Sequence, residues 1–422
     1  MKAQRLLATL EEFAASANAT PGNGVTRFSW SPADRVGRAI LEREFASLGL
    51  KYWTDGIGNV HGVFGNGPEA GRVILGSHLD SVRHGGTLDG IYGVAAALEV
   101  VRSFCDEGFR PARIVEVIAF AEEEGSNYGC TCLGSKALTG QVDVAELKTL
   151  RDAEGDCYSR LRAFGLDPDA LPDQRIDPAT VHAFLEAHIE QNAVLQKNAC
   201  RLGVVTTISG MCLHRVALRG HSDHAASPMR GRRDPMAGFA EFARKLEELW
   251  EQGRLPEDFS FTVGELSCSP GVGIVIPESV IFTVDIRHVD VSVLKENWRC
   301  LEDMLREMAA RRGLEVCVKH LSSSGGARMA GHIQDAFCRA ARARGVEPLR
   351  LSSGPAHDAA AFGSCGVPTG MLFVPSIGGL SHCPQEATDP EDLALGAQVL
   401  EDVARHLAGR GGTVTAAPGS GA

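Results

Sequence analysis

Short apolar runs alternate with helical patterns through the first half of the chain. The apolar runs are Arg72 to His78 and Arg113 to Ala121, and the helical pattern GVAAALEVVRSF lies between them. This alternation is typical of an α/β sheet with crossover helices. Near the other end, Met371 to Val374 has the pattern of a buried strand, and Glu391 to Leu407 has that of a closing amphipathic helix. We therefore expect both ends of the chain to contribute to one α/β domain.

The segment between residues 210 and 325 has a different order of patterns. It runs strand, helix, strand, strand, helix, strand, with HRVALRGH first and LEVCVKHL last. This βαββαβ order predicts one compact α+β domain inserted into the larger domain. The expected organisation is a discontinuous catalytic domain over 1–209 and 326–408, an inserted domain over 210–325, and a disordered Gly/Ala/Ser-rich tail over 409–422.

Composition and charge exclude several classes of protein. The 422 residues are 44% hydrophobic and 23% charged, which suits a globular protein with room for two domains. The net charge of -11 argues against a nucleic-acid or anionic-membrane partner, because those surfaces are usually bound by a basic face. Glu11 and Glu12 interrupt the N-terminal apolar stretch, so it predicts an amphipathic helix rather than a signal peptide.

The cysteines point to a reducing compartment. There are 12 of them, they are scattered, and no C-x-x-C spacing suggests a zinc ribbon or a redox site. Unpaired thiols are typical of the cytoplasm, and apolar runs fall short of the roughly 20 residues of a membrane span. We expect a soluble, cytoplasmic protein.

Metal-ligating side chains follow the predicted strands. Ligands of open α/β sheets bind beyond the carboxyl ends of the strands, so these positions carry the most information about function. The residues that follow the apolar runs are His78 and Asp80, then Glu122, Glu123 and Glu124, then His382. Two more residues of the same kind are Asp89, before the GVAAALEVV helix, and His188, on the polar face of the strand pattern HAFLEAHIEQ.

Together these side chains favour a metal site. His nitrogen and carboxylate oxygen form the ligand set of Zn²⁺, Mn²⁺ or Co²⁺. Singly, each has a simpler explanation, since a His often lies at a core edge and a Glu triplet often lies in a solvated loop. Adjacent glutamates at a strand end point in different directions, so one can bind metal while its neighbour holds the attacking water.

The motifs resemble those of the M20 metallopeptidase clan, in particular its amidase/hydantoinase/carbamoylase branch. The matching segments run in order from VTRFSWSPAD through GSHLDSVRHGGTLDGIYGV, AFAEEEGSNYG, AHIEQ, HSDHAASPM, FTVDIRH and SSGPAHDA to FVPSIGGLSHCPQE. That branch contains N-carbamoyl-L-amino acid hydrolases, allantoate amidohydrolases and β-ureidopropionases. The resemblance implies a zinc-peptidase-like catalytic domain with a mixed sheet and flanking helices, and an inserted α+β domain that serves as a lid and in dimerisation.

The resemblance also implies a metal-ligand set with two divalent ions per subunit, Zn, Mn, Co or Ni. One ion would be bound by His78, Asp89 and His188, and the other by Asp89, Glu124 and His382. Glu123 would be the general base. Asp80 would hydrogen-bond the far nitrogen of His78, its alternative being a loop cap.

Substrate-binding residues follow from the same resemblance. Arg287 would pair with a substrate carboxylate, and Gln191 would contact the same molecule. His224 would reach the active site of a partner subunit and stabilise the oxyanion there, which implies a homodimer. The simpler alternatives are a surface salt bridge for Arg287 and a surface position for His224.

Four segments depart from the family pattern on the substrate side. Ile274 stands where the family usually has an Asn that helps to bind the substrate carboxylate, and residues 192–193, 224–229 and 354–357 also differ. We therefore expect a bimetal hydrolase that cleaves a linear amide or carbamoyl C–N bond of a small carboxylate-bearing substrate. The alternatives are a divergent member acting on a non-standard, more apolar or aromatic acid, an N-acyl-amino-acid or dipeptide hydrolase, and a noncatalytic metal-binding scaffold.

Overall fold

The structure, a computed structural model, describes residues 1–17, 24–66, 71–256 and 258–409. The tail predicted over 409–422 lies outside these residues beyond Gly409. Contacts divide the chain into two compact units, one formed by Met1–Ile208 with the segment from Ala327 onward, and the other by Ser209–Gly326.

The elements are numbered in chain order. The helices are α1 (Ala3–Ser16), α2 (Pro32–Ser47), α3 (Ile91–Asp106), α4 (Leu133–Leu138), α5 (Val144–Leu147), α6 (Cys157–Phe164), α7 (Leu171–Gln174), α8 (Val194–Lys197), α9 (Pro235–Glu251), α10 (Val291–Arg312), α11 (Gly331–Ala343), α12 (Asp358–Ser364) and α13 (Pro390–Ala408). The strands are β1 (Lys51–Thr54), β2 (Val60–Phe64), β3 (Arg72–His78), β4 (Val115–Phe120), β5 (Val181–Ile189), β6 (Gly203–Ile208), β7 (Gly210–Arg219), β8 (Asp223–His224), β9 (Ser260–Thr262), β10 (Leu266–Ser269), β11 (Val275–Ile276), β12 (Ser279–His288), β13 (Glu315–Ser324), β14 (Ala327–Arg328), β15 (Leu349–Ser353) and β16 (Thr369–Val374).

A nine-stranded mixed sheet forms the centre of the first unit. Its order is β1-β2-β4-β3-β5-β16-β6-β14, with β15 also paired to β6. The neighbours β4, β3, β5 and β16 run parallel, whereas β1, β2 and β14 are in antiparallel pairs. The predicted mixed sheet with flanking helices is confirmed. Near-continuous apolar runs such as RVILGSH and VEVIAF suit these central strands because both of their faces are covered.

Strand β5 differs from the sequence expectation in one respect. Its alternation predicts a polar face carrying Glu186 and His188, yet both side chains are buried. The reason is that β5 pairs with β3 on one side and β16 on the other, in the middle of the sheet. Glu186 is satisfied there, because the Ser77 hydroxyl and the Ala359 N–H donate to its oxygens across 2.8 and 2.9 Å.

The second unit contains a five-stranded sheet and two long helices. The sheet order is β10-β12-β7-β13, with β9 paired to β12, and β8 pairs separately with β11. Its core includes Val216, Phe242, Phe282 and Leu305 from β7, α9, β12 and α10. The short strands β8, β10 and β11 were not predicted, because two to four residues are too few to display a periodicity.

Two further observations bear on the sequence expectations. None of the twelve cysteines, all of which lie among the described residues, forms a disulfide. In the described part of the chain, no helix has the length and hydropathy that a membrane crossing requires.

Candidate metal centre

Four neighbouring strands end at the same edge of the large sheet. His78 is the last residue of β3, the glutamate run follows β4, and His188 is the penultimate residue of β5. Since these strands are parallel to one another and to β16, their carboxyl ends meet at this edge. The loop after β16 carries His382, and the loop before α3 carries Asp89.

The first group of ligating atoms consists of His78, Asp89 and His188. Oδ1 of Asp89 lies 3.5 Å from Nε2 of His78 and 3.2 Å from Nε2 of His188. The two Nε2 atoms are 3.4 Å apart. All three side chains are buried, so one carboxylate oxygen and two imidazole nitrogens converge in a space closed to solvent.

The second group consists of Asp89, Glu124 and His382. Nε2 of His382 lies 3.1 Å from Oδ2 of Asp89 and 3.3 Å from Oε2 of Glu124. The His382 side chain is 47% exposed, in contrast to the buried histidines of the first group. Asp89 therefore turns one oxygen to each group, and the second group opens to solvent.

The hydrogen bonds on the far side of the rings orient the first group. Nδ1 of His78 is 3.0 Å from the Asp80 carbonyl oxygen, and Nδ1 of His188 is 2.9 Å from the Ile189 carbonyl oxygen. A carbonyl accepts only, so each Nδ1 carries the proton, and in the neutral rings both Nε2 lone pairs face the Asp89 carboxylate.

Two carboxylate oxygens at the site are buried without a hydrogen-bond partner among the described residues. They are Oδ1 of Asp89 and Oε1 of Glu124. Oδ1 of Asp89 faces the Nε2 atoms of His78 and His188, and an unsatisfied buried oxygen in that position is costly unless a cation or a proton lies between them. The residues present thus fit divalent metal ions at both groups.

The pKa directions reflect the same concentration of charge. Burial alone lowers the pKa of His78, but the carboxylates of Glu123 and Asp89 outweigh it and hold the pKa well above its ordinary value. Burial raises the pKa of Asp89, yet the three neighbouring histidines outweigh burial and hold it well below the ordinary range. Hydrogen bonds from His382 to Asp89 and Glu124 raise the pKa of His382 to about 10. Without a metal ion, protons on the histidines therefore hold the histidine–carboxylate pairs together.

Glu123 lies beside the first group and is buried. Its Oε2 is 3.8 Å from Nε2 of His78, and its Oε1 is 3.3 Å from the Cys132 sulfur. Burial is the main cause that raises its pKa well above the ordinary value, and Glu124 adds to the effect. Glu123 is thus a carboxyl group with an oxygen turned towards the ligand cluster.

Asp80 contacts a different partner from the one expected. Its carboxylate lies 3.8 Å from Nδ1 of His78, too far for a hydrogen bond, and its main-chain oxygen makes that contact instead. The carboxylate accepts the main-chain N–H groups of Glu123 and Glu124 across 3.0 and 3.2 Å. The main-chain turn after His78 brings the Asp80 carbonyl oxygen nearer to the His78 ring than the Asp80 carboxylate. The carboxylate instead holds the main chain of Glu123 and Glu124 in place.

Three non-glycine residues at this edge of the sheet have strained backbone. Glu122, Gln191 and His382 have left-handed φ values of 57°, 56° and 57°. Non-glycine residues in this region cost free energy and are retained mainly at functional sites. Gly90 is also left-handed, with φ 68°, and a Cβ there would lie 2.4 Å from the His78 ring.

Comparison with known proteins places the chain in a family. The family model described as Peptidase family M20/M25/M40 matches residues 74–406. The chain belongs to this peptidase family. It is 36% identical to the N-carbamoyl-L-amino acid amidohydrolase of Geobacillus stearothermophilus, over 92% of this chain and 94% of that protein. It is 32% identical to the allantoate amidohydrolase of Escherichia coli K12, over 93% of this chain and 95% of that protein.

A solved structure supports the same placement. The hydantoinase/carbamoylase family amidase from Burkholderia multivorans superposes with a TM-score of 0.85 at 31% identity, covering 96% of this chain and 98% of that chain. The expected resemblance to the amidase branch of the M20 family is therefore confirmed. Metal dependence is a property of the family, in agreement with the two ligand groups.

Glu386 ends the motif FVPSIGGLSHCPQE of this M20 chain, yet no role was predicted for it from the sequence. Its Oε1 accepts the N–H groups of Leu88 and Asp89 across 2.8 and 3.0 Å, and its Oε2 accepts the Ser381 hydroxyl across 2.9 Å. The same hydroxyl lies 2.8 Å from Oδ2 of Asp89. Glu386 thus orients the shared carboxylate, and the signal in the sequence was its place in that motif, four residues after His382.

A third buried group, Glu186, His188 and His357, lies next to the first. Nε2 of His357 is 2.9 Å from the Ser353 hydroxyl, and burial holds the pKa of His357 well below its ordinary value, so the ring is neutral. Glu186 already accepts two hydrogen bonds. We therefore interpret Glu186 and His357 as residues that pack next to His188 rather than as a separate ligand set.

The expected substrate residues lie in both units. In the first, the Gln191 amide donates to Oδ2 of Asp89 across 2.9 Å. In the second, His224 is on β8 opposite Val275 of β11, and the Arg287 guanidinium pairs with Asp285 at 2.9 Å. The structure thus brings together His78, Asp80, Asp89, Glu123, Glu124, His188, Gln191 and His382 in one unit, and describes His224 and Arg287 in the other.

Proposed function

We propose that this chain hydrolyses a linear C–N bond of a small carboxylate-bearing substrate similar to an N-carbamoyl amino acid, using two divalent metal ions. Membership of the M20 family and its amidase branch makes the chain a metal-dependent hydrolase of carbon–nitrogen bonds other than peptide bonds. The observation that carries the two-ion proposal is the position of Asp89, whose two oxygens face two separate histidine-containing groups.

The chemistry at the site divides between metal and protein. Divalent ions bound there supply Lewis acidity, which lowers the pKa of water and polarises a carbonyl oxygen. Glu123 takes the proton of the attacking water at one carboxylate oxygen and delivers it to the leaving nitrogen. Its place beside His78 supports this role, and so does its burial, because burial raises the pKa of the carboxyl group and makes its carboxylate a stronger base than that of an exposed glutamate.

Substrate capture involves the inserted unit. In the proposal, Arg287 releases Asp285 and pairs with the substrate carboxylate instead. The Gln191 amide likewise releases Asp89 and donates its hydrogen bond to the substrate. His224 stabilises the oxyanion in the active site of a partner subunit, so the working form is a homodimer. The twelve unpaired thiols support a cytoplasmic location.

The side chain at position 274 refines the substrate class. Ile274 is 65% exposed and has its carbonyl oxygen 3.0 Å from the Ala225 N–H, next to His224. An apolar group beside the proposed oxyanion residue favours a substrate with an apolar or aromatic body over a plain N-carbamoyl amino acid. A panel of N-carbamoyl amino acids, allantoate, β-ureidopropionate, N-acetyl amino acids, dipeptides and amino-substituted aromatic acids would separate the alternatives.

The variant Glu123→Gln tests the mechanism. We expect turnover to fall by about a hundredfold or more, because a general base contributes roughly 10²–10⁴ to the rate, while the metal content stays within error of the wild type. Metal analysis and ammonia release on the same preparation measure both quantities. The exposed Glu247→Gln on α9 is the control. Turnover that stays within a few fold of the wild type would exclude Glu123 as the base.

A further inference from the structure

A second cavity lies in the first unit, outside the ligand groups. Its volume is about 1010 Å³, at the upper end of the roughly 300–1,000 Å³ typical of small-molecule sites. The segment before and at the start of α2, the loop after β3 and helix α6 provide its walls. None of the side chains of the two metal-ligand groups lines it. We call it the Arg35/Arg83 cavity after two arginines that line it.

Arg35 and Arg83 are held by aromatic rings rather than by acids. The Arg35 guanidinium lies 4.1 Å from the centre of the Phe164 ring and donates to the Phe164 carbonyl oxygen across 2.9 Å. The Arg83 guanidinium lies 5.5 Å from the centre of the Phe28 ring. Within the described residues neither arginine forms an ion pair. Both guanidinium groups therefore keep N–H donors for a further acceptor.

The third arginine of the cavity, Arg160, differs because its guanidinium group is already paired with acidic side chains. Arg160 pairs with Asp152 at 2.6 Å and with Glu154 at 2.8 Å, and it also donates to the Asn127 side-chain oxygen across 2.9 Å. Both acids that line the cavity are thus already paired with Arg160. The remaining charge is positive, in a protein whose formal net charge is -11.

We propose that the Arg35/Arg83 cavity binds a small organic anion with a flat apolar body, of which an aromatic carboxylate is the simplest member. Guanidinium groups match carboxylates in a forked geometry, and rings such as Phe28 and Phe164 offer the apolar faces. The anion pairs with Arg35 or Arg83 at its charged end and lies against these rings with its body. The cavity is separate from the metal centre and gives the protein a second place to bind an acid.

Calorimetric titration of sodium benzoate into the full-length, metal-loaded protein tests the proposal. We expect one binding event at the cavity, which Arg35→Gln and Arg83→Gln each weaken by about tenfold, the usual effect of losing a charge-assisted hydrogen bond. Arg83→Lys should weaken it less, because the charge remains while the fork is lost. Neutral benzamide should bind at least about tenfold more weakly than benzoate.

The control is Arg339→Gln on α11, an exposed arginine away from the cavity, which should bind benzoate like the wild type. Circular dichroism establishes that each variant is folded. Undetectable binding to the wild type would overturn the proposal, as would equal affinity in the double variant lacking both arginines. Binding that survives in that double variant but disappears in Asp89→Asn belongs to the metal centre and would overturn it as well.

Discussion

The thiol of Cys132 donates a hydrogen bond to Oε1 of Glu123 across 3.3 Å. The two residues are also joined through the main chain, since the Cys132 N–H donates to the Glu123 carbonyl oxygen across 2.7 Å. Oε2 is left on the side of His78. The thiol thus fixes which carboxylate oxygen faces the site, and it does so as a positioning residue that need not touch the substrate.

Replacement of Cys132 tests this positioning. Cys132→Ala removes the donor, and we expect kcat to fall by roughly fivefold, the equivalent of one neutral hydrogen bond of about 1 kcal/mol, with little change in KM. Cys132→Ser restores a donor and should recover part of the loss. Cys157→Ala, another buried thiol, is the control. Equal kcat values for the Ala and Ser variants would show that the thiol serves packing alone.

Gly90 determines how close the chain before α3 comes to His78. Since a Cβ at this position would lie 2.4 Å from the ring, Gly90→Ala should displace His78 and lower the metal affinity by at least about tenfold. Metal content after dialysis and turnover measure the effect. Gly49→Ala is a matched control, because Gly49 has the same φ of 68° with nothing within 4 Å of its Cβ position. That control should cost only the roughly 1–2 kcal/mol of a left-handed alanine, with normal metal binding.

His61 makes stability depend on pH, away from the metal centre. Burial lowers its pKa, but hydrogen bonds to Asp55 and Glu116, at 3.3 and 2.9 Å, outweigh burial and raise the pKa to about 9. Arg72 is also charged and pairs with Glu116 at 2.9 Å. Folding therefore takes up a proton at His61 when the pH exceeds its ordinary pKa of about 6.5.

The consequence is a loss of stability with rising pH. The contribution of His61 is fully present below about pH 6.5 and disappears as the pH rises through 9, with a total of about 3 kcal/mol. Denaturant unfolding between pH 6 and 10 measures it. In His61→Gln the free energy of unfolding should be lower and flatter over this range. A variant with the same slope as the wild type would contradict the assignment.

Ile274 provides a test of substrate choice that leaves the fold alone. Its side chain is 65% exposed, so Ile274→Asn removes little packing and should leave the unfolding midpoint unchanged. We expect kcat/KM for N-carbamoyl amino acids to rise by about tenfold, because an amide donor to a carboxylate contributes roughly 1–3 kcal/mol. Val272→Asn, an exposed neighbour, is the control. If the ratio of kcat/KM for carbamoyl substrates to kcat/KM for aromatic substrates stays unchanged, Ile274 does not determine substrate choice.

The strand ends were predictable from the sequence because apolar runs terminate abruptly in His78 and in the glutamates after Ala121. That these ends lie on one edge was expected from the α/β pattern, whereas the order β4, β3, β5, β16 that sets their mutual distances came only from the structure. The contact made by Asp80 was not predictable, since the choice between side-chain and main-chain oxygen depends on the turn geometry. Glu386 was missed for a related reason, because its partners Leu88 and Asp89 lie far away in sequence.

The two ligand groups draw on segments from His78 to His382, that is, on both sequence portions of the first unit. An ion bound there cross-links chain segments that meet only in the folded state, so metal binding and folding of this unit are linked equilibria. The His78, Asp89 and His188 side chains are buried, whereas the His382 side chain is half-exposed, so an ion in the first group would exchange with solvent more slowly than an ion in the second. If each group binds an ion, as proposed, the two ions would differ in lifetime, and we expect a chelator to remove the metal in two kinetic phases.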